Sequence, residues 1–598
     1  MDKIARRSSL HAFLPLELRS ISIETWTERE PPAKPPNPDF LLSARVPMNP
    51  NAWSGRDYRL QENITTSGRH KFVPLPRISH QNRANPIRVS LMKVIPMEKT
   101  HSDHVEELHH DVSQSKGWLT WRVAANILVV GFSWGLYGYD SSFVSPVLSL
   151  PLFIQKYQDH GTAFTATNLN LLVSVPLIGA AIGSFASIWM QSRMGRKRSL
   201  LSAYIFCCVP GSILQLFAPD MAAMVCGRIW NNMGISMLNT ISGLYLSEMV
   251  PSHARARAIA SALIGSSAVS VIAATVVWAT EKINDNRQYT IPFTIQVVVP
   301  ATLAVLTLFV TESPTWLALR GRMDDARCAL KTIRNNNMDL IEAEMRALLA
   351  LVENAKARED VHFWDILSKP NIKRTLIAGA SLSVSQVGGQ ILVLLYSTVM
   401  LVQSGVEDPF LITVIIYLAY FLGGCVGPIL LDKVGRRPTA LGGFTILFLL
   451  DIAIAGLASS GLTTDSERLG LASLFIIFGF FNALVFQSLL LLLPAELPSA
   501  RLREATASWS MFWSYVTAIV TTFVIPHITE HIGAQADFVF AGCMLIIILG
   551  TYLYLPETKD RTLAEIEEMY TTKVAAWKWK GHKCSILQEV QAPSGESA

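Results

Sequence analysis

The stretch Arg193-Met194-Gly195-Arg196-Lys197 occurs again, with the same order of residue types, as Lys433-Val434-Gly435-Arg436-Arg437. The two glycines are 240 residues apart. Two other motif pairs have nearly the same offset, Glu248 with Glu496 at 248 residues and Glu312 with Glu557 at 245 residues. Three markers in one order and at nearly one offset predict that the chain consists of two duplicated halves.

Each half carries six apolar runs near the length that crosses a membrane, which is about 20 residues. Residues of the set AVILMFWYC make up 50% of the chain and charged residues only 16%, whereas about a quarter of a soluble protein is charged. We therefore predict an all-α membrane protein with twelve transmembrane helices in two six-helix halves. The runs lie at 123–148, 168–190, 199–217, 221–246, 257–280, 291–310, 374–403, 410–431, 439–460, 469–493, 506–527 and 536–555.

The basic residues of the short loops predict the orientation. The loops after runs 2, 4, 8 and 10 hold eleven Lys and Arg, and the loops on the other side hold four. Because loops rich in Lys and Arg stay on the cytoplasmic side, both termini are expected in the cytoplasm. The net charge of +5 is accounted for by these loops and does not indicate a nucleic-acid partner.

Composition divides the chain into five segments. The first is rich in proline and is expected to be a disordered cytoplasmic tail, although translation from Met97 stays open as an alternative. The third is polar, with helical periodicity in Met323–Asn335 and Leu340–Ala357, and is expected to be a cytoplasmic linker. The segments are the tail 1–117, the first half 118–319, the linker 320–373, the second half 374–556 and a cytoplasmic C-terminal tail 557–598.

Two ionisable residues inside the runs are the first functional candidates, because charged groups in a membrane are costly and usually functional. Asp140 in run 1 and Arg228 in run 4 both lie about 10–12 Å below the outer end of their runs, at about 1.5 Å per residue. Equal depth and opposite charge predict a proton-dependent pair; a static salt bridge is the alternative. Asp451 in run 9 has no obvious basic partner and no assigned role.

Basic and acidic residues at matching repeat positions predict a cytoplasmic latch whose ion pairs cross between the halves when the inner mouth closes. Positive-inside anchoring alone is the alternative. The proposed latch residues are Arg193, Arg196, Glu248, Arg255, Glu312, Asp432, Arg436, Arg437, Glu496, Arg503 and Glu557.

Residues from about 120 to 570 resemble the sugar porter family of the major facilitator superfamily, in its fungal branch. The resemblance rests on Gly138-Tyr139-Asp140, on Asp432-Lys433-Val434-Gly435-Arg436-Arg437, on Glu312-Ser313-Pro314 and on Pro556-Glu557-Thr558-Lys559. The first-half loop signature has Ser192 in place of Asp. The resemblance implies the major facilitator fold, and it implies that Asp140 and Arg228 are the coupling pair of proton-driven members.

The family holds a sugar with amides and aromatic rings, because amides satisfy hydroxyl groups in both directions and rings cover the apolar face of a pyranose. Gln386 and Gln390 are four residues apart and are expected on one helix face. The match weakens at Ile391, where the family has Asn, and in run 5, which has no Gln. The candidate substrate residues are Gln386, Gln390, Tyr396, Asn482, Gln487, Trp509 and Trp513.

These residues favour a monomeric, proton-coupled importer of a sugar or related polyol in the plasma membrane. Two alternatives stay open: a diverged porter or exporter of a non-sugar fungal metabolite, and a non-transporting nutrient receptor. An enzyme is least favoured, because the sequence has no metal cluster, nucleophile constellation or phosphate loop, and no cofactor is expected.

Overall fold

The computed structural model describes residues 119–582, and within them it is entirely helical, without a β-strand. The tail 1–117 and the last residues of the C-terminal tail lie outside the described residues. The short gaps inside the described range are 159, 162, 251, 357–362, 370, 490–492, 494–496, 499–501, 560 and 562.

Helices of the first half run almost without interruption between short turns. Several begin at residues suited to that position: Thr120 and Asp220 accept hydrogen bonds from the backbone of the first turn, and Pro176 occupies the first turn of its helix, where no N–H is needed. The helices are α1 Trp121–Leu148, α2 Pro151–Tyr157, α3 Ala166–Val173, α4 Pro176–Met194, α5 Arg196–Ser202, α6 Val209–Leu216, α7 Met221–Met249, α8 Ser252–Thr280 and α9 Arg287–Thr307, with a π-helical turn at Ala203–Cys208.

The linker and the second half follow the same pattern. Helical linker segments were expected from the periodicity, and two are present as α11 and α12. The remaining helices are α10 Pro314–Leu319, α11 Met323–Ile333, α12 Met338–Lys356, α13 Ile372–Val387, α14 Ser397–Gln403, α15 Pro409–Val434, α16 Arg436–Ala458, α17 Asp465–Asn482, α18 Arg503–Ile532, α19 Asp537–Tyr554 and α20 Leu563–Thr571, with π turns at Ile391–Leu395 and Ala483–Gln487 and 3₁₀ turns at Phe363–Leu367, Gly533–Ala536 and Ala576–Gly581.

Both halves contain helices that are long and apolar enough to cross a membrane. Among the described residues, eight helical segments are long and apolar enough to cross a membrane. Large apolar side chains such as Phe206, Phe309 and Ile546 stay 67–81% exposed on the helices. A chain with this surface is a multi-pass membrane protein, since lipid covers the apolar groups that water would reject. The eight segments are Ala166–Met194, Arg196–Leu216, Arg257–Thr280, Arg287–Thr307, Pro409–Val434, Arg436–Ala458, Asp465–Gln487 and Ala505–Tyr554.

Close helix packing repeats between the halves. A Cβ built on Gly179 or Gly183 of α4 would lie 2.2 Å from a backbone oxygen of α7, and one on Gly423 of α15 would lie 2.1 Å from a backbone oxygen of α17. Gly427 stands 244 residues after Gly183, and a Cβ on it would lie 2.6 Å from the oxygen of Leu484, in the π turn that follows α17. Small residues four apart let two helices touch through their backbones. The duplication thus extends to packing positions that the motifs did not reveal.

A break in the seventh apolar run corrects one expectation. α13 ends at Val387, and Gly389 has φ +76, a conformation that residues with a Cβ rarely adopt. The chain then continues through a π turn into α14. The prediction that Gln386 and Gln390 share one face of a continuous helix is therefore wrong, because two successive glycines interrupt that helix between them.

The linker helices are fastened to the first half. The Thr120 hydroxyl donates to the Ile333 carbonyl at 2.6 Å. Arg334 forms an ion pair with Glu344 at 2.9 Å and donates to the Met249 carbonyl at 3.4 Å. Burial raises the pKa of the Glu344 carboxyl, and the charge of Arg334 opposes that rise. α11 and α12 therefore cover the ends of α1 and α7.

Candidate functional site

Asp140 and Arg228 lie close together in the first half, on α1 and α7. Asp140 is 5% exposed and Arg228 is 6% exposed. The Arg228 Nη2 atom lies 3.8 Å from Asp140 Oδ2, which is ion-pair distance without a direct hydrogen bond. The guanidinium instead donates through Nε to the Leu172 carbonyl at 2.5 Å. The two charges thus attract each other, but no direct hydrogen bond joins them.

Three amides that the sequence reasoning missed surround the Asp140 carboxylate. Asn231 and Gln296 donate to Oδ1 at 3.2 and 2.6 Å, and Asn232 donates to Oδ2 at 3.3 Å. Amide donors stabilise a buried carboxylate, and a protonated carboxyl keeps fewer acceptor sites for them. The pair Asn231-Asn232 lies three and four residues after Arg228 in run 4, so polar residues on its helix were a signal that was available. Protonation of Asp140 changes four interactions at once.

Tyr396 of the second half lies beside this cluster. Its side chain is 1% exposed, and its hydroxyl donates to the Thr522 carbonyl at 3.4 Å. Arg228 and Tyr396 are near enough to interact electrostatically. Because Tyr396 follows the π turn of the broken helix, the charge pair in the first half lies near the second half.

The other candidate substrate residues are distributed over three helices of the second half. Asn482 is fully buried, and neither of its side-chain polar atoms has a hydrogen-bond partner among the described residues. The same is true of Oε1 in Gln390 and Gln487, while Nε2 of Gln487 donates to the Leu263 carbonyl at 3.0 Å. Buried amide atoms without partners are costly. They are therefore candidates for binding a polar ligand.

The two tryptophans of α18 have different surroundings. Their rings contact each other at 5.7 Å between centroids. Trp509 lies against α13, where its indole Nε1 is 3.5 Å from a Cβ built on Gly379. Trp513 is 41% exposed and also contacts the Phe512 ring. Gln386, on α13, is half-buried and donates to the Ser385 hydroxyl at 3.4 Å.

At the end of the helices that holds the basic loops, each half has a carboxylate that caps an earlier helix of the same half, Glu312 capping α5 and Glu557 capping α16. Glu312 Oε1 accepts from the backbone N–H groups of Arg196 and Lys197 at 2.8 and 3.2 Å. Glu557 accepts from the backbone N–H groups of Arg436 and Arg437 at 3.0 and 3.1 Å. A carboxylate at a helix N-terminus satisfies free donors and the helix dipole. The two caps occupy equivalent positions of the repeat.

A buried ion pair joins Arg196 to Glu248. Arg196 donates from Nε and Nη2 to the two oxygens of Glu248 at 3.0 and 2.6 Å, and the Ser313 hydroxyl donates to the same carboxylate at 2.6 Å. Both side chains are 9% exposed. All three residues belong to the first half, so this contact differs from the expected pairing across the halves. The reason is that α5, α7 and α10 meet at one point.

The remaining latch candidates are less enclosed or lie outside the described part. Arg193 is exposed and stacks on Trp189 at 4.4 Å. Arg437 donates to the carbonyls of Leu555 and Tyr552 at 2.9 and 2.8 Å, again inside one half. Arg255 and Asp432 are exposed. The residues outside the described part are Glu496 and the side chain of Arg503.

We expect Gly195→Ala to destabilise the protein by about 1–3 kcal/mol, the usual cost of a strained backbone conformation. Gly195 has φ +91, and a Cβ there would lie 2.5 Å from Glu312 Oε2, so the substitution disturbs the cap as well. Thermal unfolding of purified protein in detergent measures the loss. Gly442→Ala is the matched control, because a Cβ there meets nothing within 4 Å. Equal melting temperatures for the two variants would contradict the assignment.

Comparisons with known proteins show which family the sequence matches. A family model described as sugar (and other) transporter matches residues 126–570. The high glucose sensor RGT2 of Saccharomyces cerevisiae is 24% identical over 76% of this chain, and the match covers 61% of the sensor, less than two thirds of its length. The low-affinity glucose transporter HXT3 of the same yeast is 24% identical over 75% of this chain and 82% of its own. The high-affinity fructose transporter ght6 of Schizosaccharomyces pombe is 26% identical over 75% and 87%.

Solved structures identify the fold. The xylose transporter XylE from E. coli, in a partially occluded inward-open conformation, aligns with a TM-score of 0.60 and 19% identity over 74% of this chain and 100% of its own. The proton:xylose symporter XylE bound to 6-bromo-6-deoxy-D-glucose aligns with a TM-score of 0.59 and 19% identity over 75% and 99%. The described chain thus has the all-helical fold of the major facilitator superfamily.

Proposed function

The chain belongs to the family of sugar and other transporters, which is not a family of enzymes, and on this basis we propose that it is a secondary active transporter. It imports a sugar or related polyol together with protons by alternating access. The observation that carries this proposal is the carboxylate of Asp140, buried among three amides and 3.8 Å from Arg228. Such a group can take up a proton on one side of a membrane and release it on the other.

Twelve transmembrane helices with both termini in the cytoplasm form the proposed topology. The eight apolar segments supply nine of these helices, because Ala505–Tyr554 divides into α18 and α19 at the turn Gly533–Ala536. α1, α7 and the broken pair α13 and α14 supply the rest. The proposed segments remain 118–319 and 374–556 for the halves, 320–373 for the linker and 557–598 for the C-terminal tail. We place the protein in the plasma membrane as a monomer.

The alternating movement would break polar contacts between the halves. Asn170 and His527 are 3.1 Å apart, and the backbone N–H of Thr398 donates to the Ser145 hydroxyl at 3.3 Å. Gln487 donates to Leu263 at 3.0 Å nearer the basic loops. Weak neutral contacts suit a gate, since a few such bonds can be exchanged for water at small net cost. The ion pairs of Arg196 and the caps of Glu312 and Glu557 would then hold each half rigid during the movement.

Substrate recognition is assigned to the second half, including Tyr396. The unsatisfied amide atoms of Gln390, Asn482 and Gln487 would bind hydroxyl groups, with Gln386 beside them, and Trp509 and Trp513 would cover an apolar sugar face. The named sugars of the relatives and the sugar-bound neighbour support this substrate class.

Uptake of labelled hexoses, pentoses and polyols in a yeast that lacks its own hexose transporters tests the proposal. We expect uptake above the inside–outside equilibrium that a proton uncoupler abolishes. Uptake insensitive to the uncoupler would contradict proton coupling. No uptake of any sugar would favour a non-sugar porter or exporter instead.

A nutrient receptor is the second candidate, and it is favoured by the relative RGT2, whose name describes a glucose sensor. The same yeast distinguishes it. A receptor would change transcription in response to sugar without measurable flux, whereas a transporter restores growth on the sugar through flux alone.

We expect Asn482→Leu to weaken substrate binding about tenfold, because a buried hydrogen bond contributes about 1–2 kcal/mol to binding. Leu has nearly the same shape and leaves no polar atom in the dry site, so the folded state should be retained. The apparent KM for uptake measures the effect, with Asn284→Leu as the control at an exposed position. An unchanged KM with increased thermal stability would assign Asn482 to packing alone.

A further inference from the structure

Two aspartates of the second half are buried together without a counter-charge. Asp451 lies in α16 and Asp537 is the first residue of α19, and both are fully buried. None of their four carboxyl oxygens has a hydrogen-bond partner among the described residues. The helices α16 and α19 pack along each other, and the two carboxyl groups are near enough to interact electrostatically.

The groups around Asp451 are mostly apolar. From α19 the titratable groups that face it are Asp537 and the thiol of Cys543. The broken helix contributes Gly389, whose built Cβ would lie 2.8 Å from Asp451 Oδ1 and 3.2 Å from the Phe478 ring of α17. The charged residues of α17, Asp465, Glu467 and Arg468, lie in its first turn, at the solvent end. No described Lys, Arg or His forms an ion pair with either aspartate.

Two ionised carboxylates cannot coexist in this position. Each would have lost its hydration without gaining a donor, and their charges would repel each other across a dry interface. A proton on one of the two carboxyl groups removes its charge, and with that charge both the cost of its lost hydration and the repulsion between the two groups. At least one of the two carboxyl groups is therefore expected to hold a proton. Because the groups interact, gain or loss of a proton belongs to the pair and not to one residue.

We propose that Asp451 and Asp537 form a second proton-binding site, separate from Asp140, whose protonation stabilises the packed position of the broken helix after Gly389. Asp451 is about 10 Å, or seven residues at 1.5 Å each, from the end of α16 at Ala458. The carboxyl lies against Gly389, where α13 has ended and the chain passes into the π turn. When Gly389 and the segment after it move away from Asp451, water reaches the pair and the proton can leave. The proton and the bend are thus linked without any contact to the substrate.

Infrared spectroscopy of the purified full chain tests the site directly. We expect a carbonyl-stretch band of a protonated carboxyl at neutral pH, lost in Asp451→Asn and in Asp537→Asn and kept in the exposed control Asp465→Asn. Asp140→Asn separates the two sites, and it should keep the band of the pair. Absence of a protonated carboxyl at neutral pH, or a band that both variants retain, overturns the proposal.

Thermal stability as a function of pH supplies an independent measurement. The folded protein holds a proton that the unfolded chain releases at neutral pH, so the melting temperature should fall as the pH rises from 5 to 8 through this site. Asp451→Asn imitates the protonated group and should flatten that slope, and Asp465→Asn should not. A slope equal to that of the unaltered chain, or stability that depends on sodium or potassium concentration at fixed pH, would show that the pair does not bind a proton. Neither measurement depends on transport, so failure here leaves the proposed function of Asp140 untouched.

Discussion

Replacing Asp140 with Asn abolishes accumulation of substrate against a gradient, while exchange of substrate across the membrane continues. The side chain keeps its size, and its remaining oxygen can still accept from Gln296 or Asn231. It loses the charge that attracts Arg228 across 3.8 Å, and it can no longer gain or release a proton. Each half can still rock around a bound substrate, because that movement needs no proton.

Counterflow and uncoupler-sensitive uptake in the same vesicles measure the two activities of Asp140→Asn. The matched control is Asp285→Asn, an acid of the same half whose side chain is 63% exposed. It should leave both activities unchanged. Retention of pH-dependent accumulation in Asp140→Asn would mean that the Asp140–Arg228 contact is a static salt bridge without a role in proton coupling.

Replacing Arg196 with Ala destabilises the protein by about 3–5 kcal/mol, the cost of removing one partner from a buried ion pair. The change leaves the Glu248 carboxylate at 9% exposure, with the Ser313 hydroxyl as the one side-chain donor to it that remains among the described residues. The measurement is the free energy of unfolding in detergent or, where unfolding is irreversible, the melting temperature. Arg196→Lys keeps the charge without the paired geometry and should lose less.

A double variant tests whether the loss of stability comes from leaving one charge of the buried pair without its partner. Arg196→Met combined with Glu248→Leu removes both charges and should recover much of the stability lost in Arg196→Ala, since apolar residues can fill such a position at little cost. A double variant as unstable as the sum of its single changes would mean that the two side chains do not act together.

Periodicity and motif offsets were sufficient to predict the all-helical fold and the duplication. Apolar runs, basic loops and glycines are local signals that a single sequence carries. They also located Asp140 and Arg228, because a charge inside an apolar run stands out without any knowledge of its neighbours.

The sequence was less informative where the outcome depends on which helices meet. The amides of Asn231, Asn232 and Gln296 reach Asp140 from two other helices, and no spacing in the sequence encodes that approach. The two glycines Gly388 and Gly389 are present in the sequence between Gln386 and Gln390, but the spacing of the glutamines was interpreted as if the helix continued through the glycines. The expected ion pairs across the halves were inferred from charge alone, whereas Arg196 pairs with Glu248 of its own half, on α7.

The two caps restrict which mutations this gene can accept. Any single base change that alters a glycine codon introduces a residue with a Cβ, and Gly195 and Gly435 combine φ of +91 and +106 with a carboxylate oxygen within 2.7 Å of that atom's place. Asp or Glu would add a second negative charge to the same space. A library of all single variants should therefore be depleted of alanine at codons 195 and 435 in parallel, while codon 442 accepts alanine, because a Cβ there meets nothing within 4 Å. Because the halves are duplicated, the same requirement for glycine beside a capping carboxylate occurs at both positions.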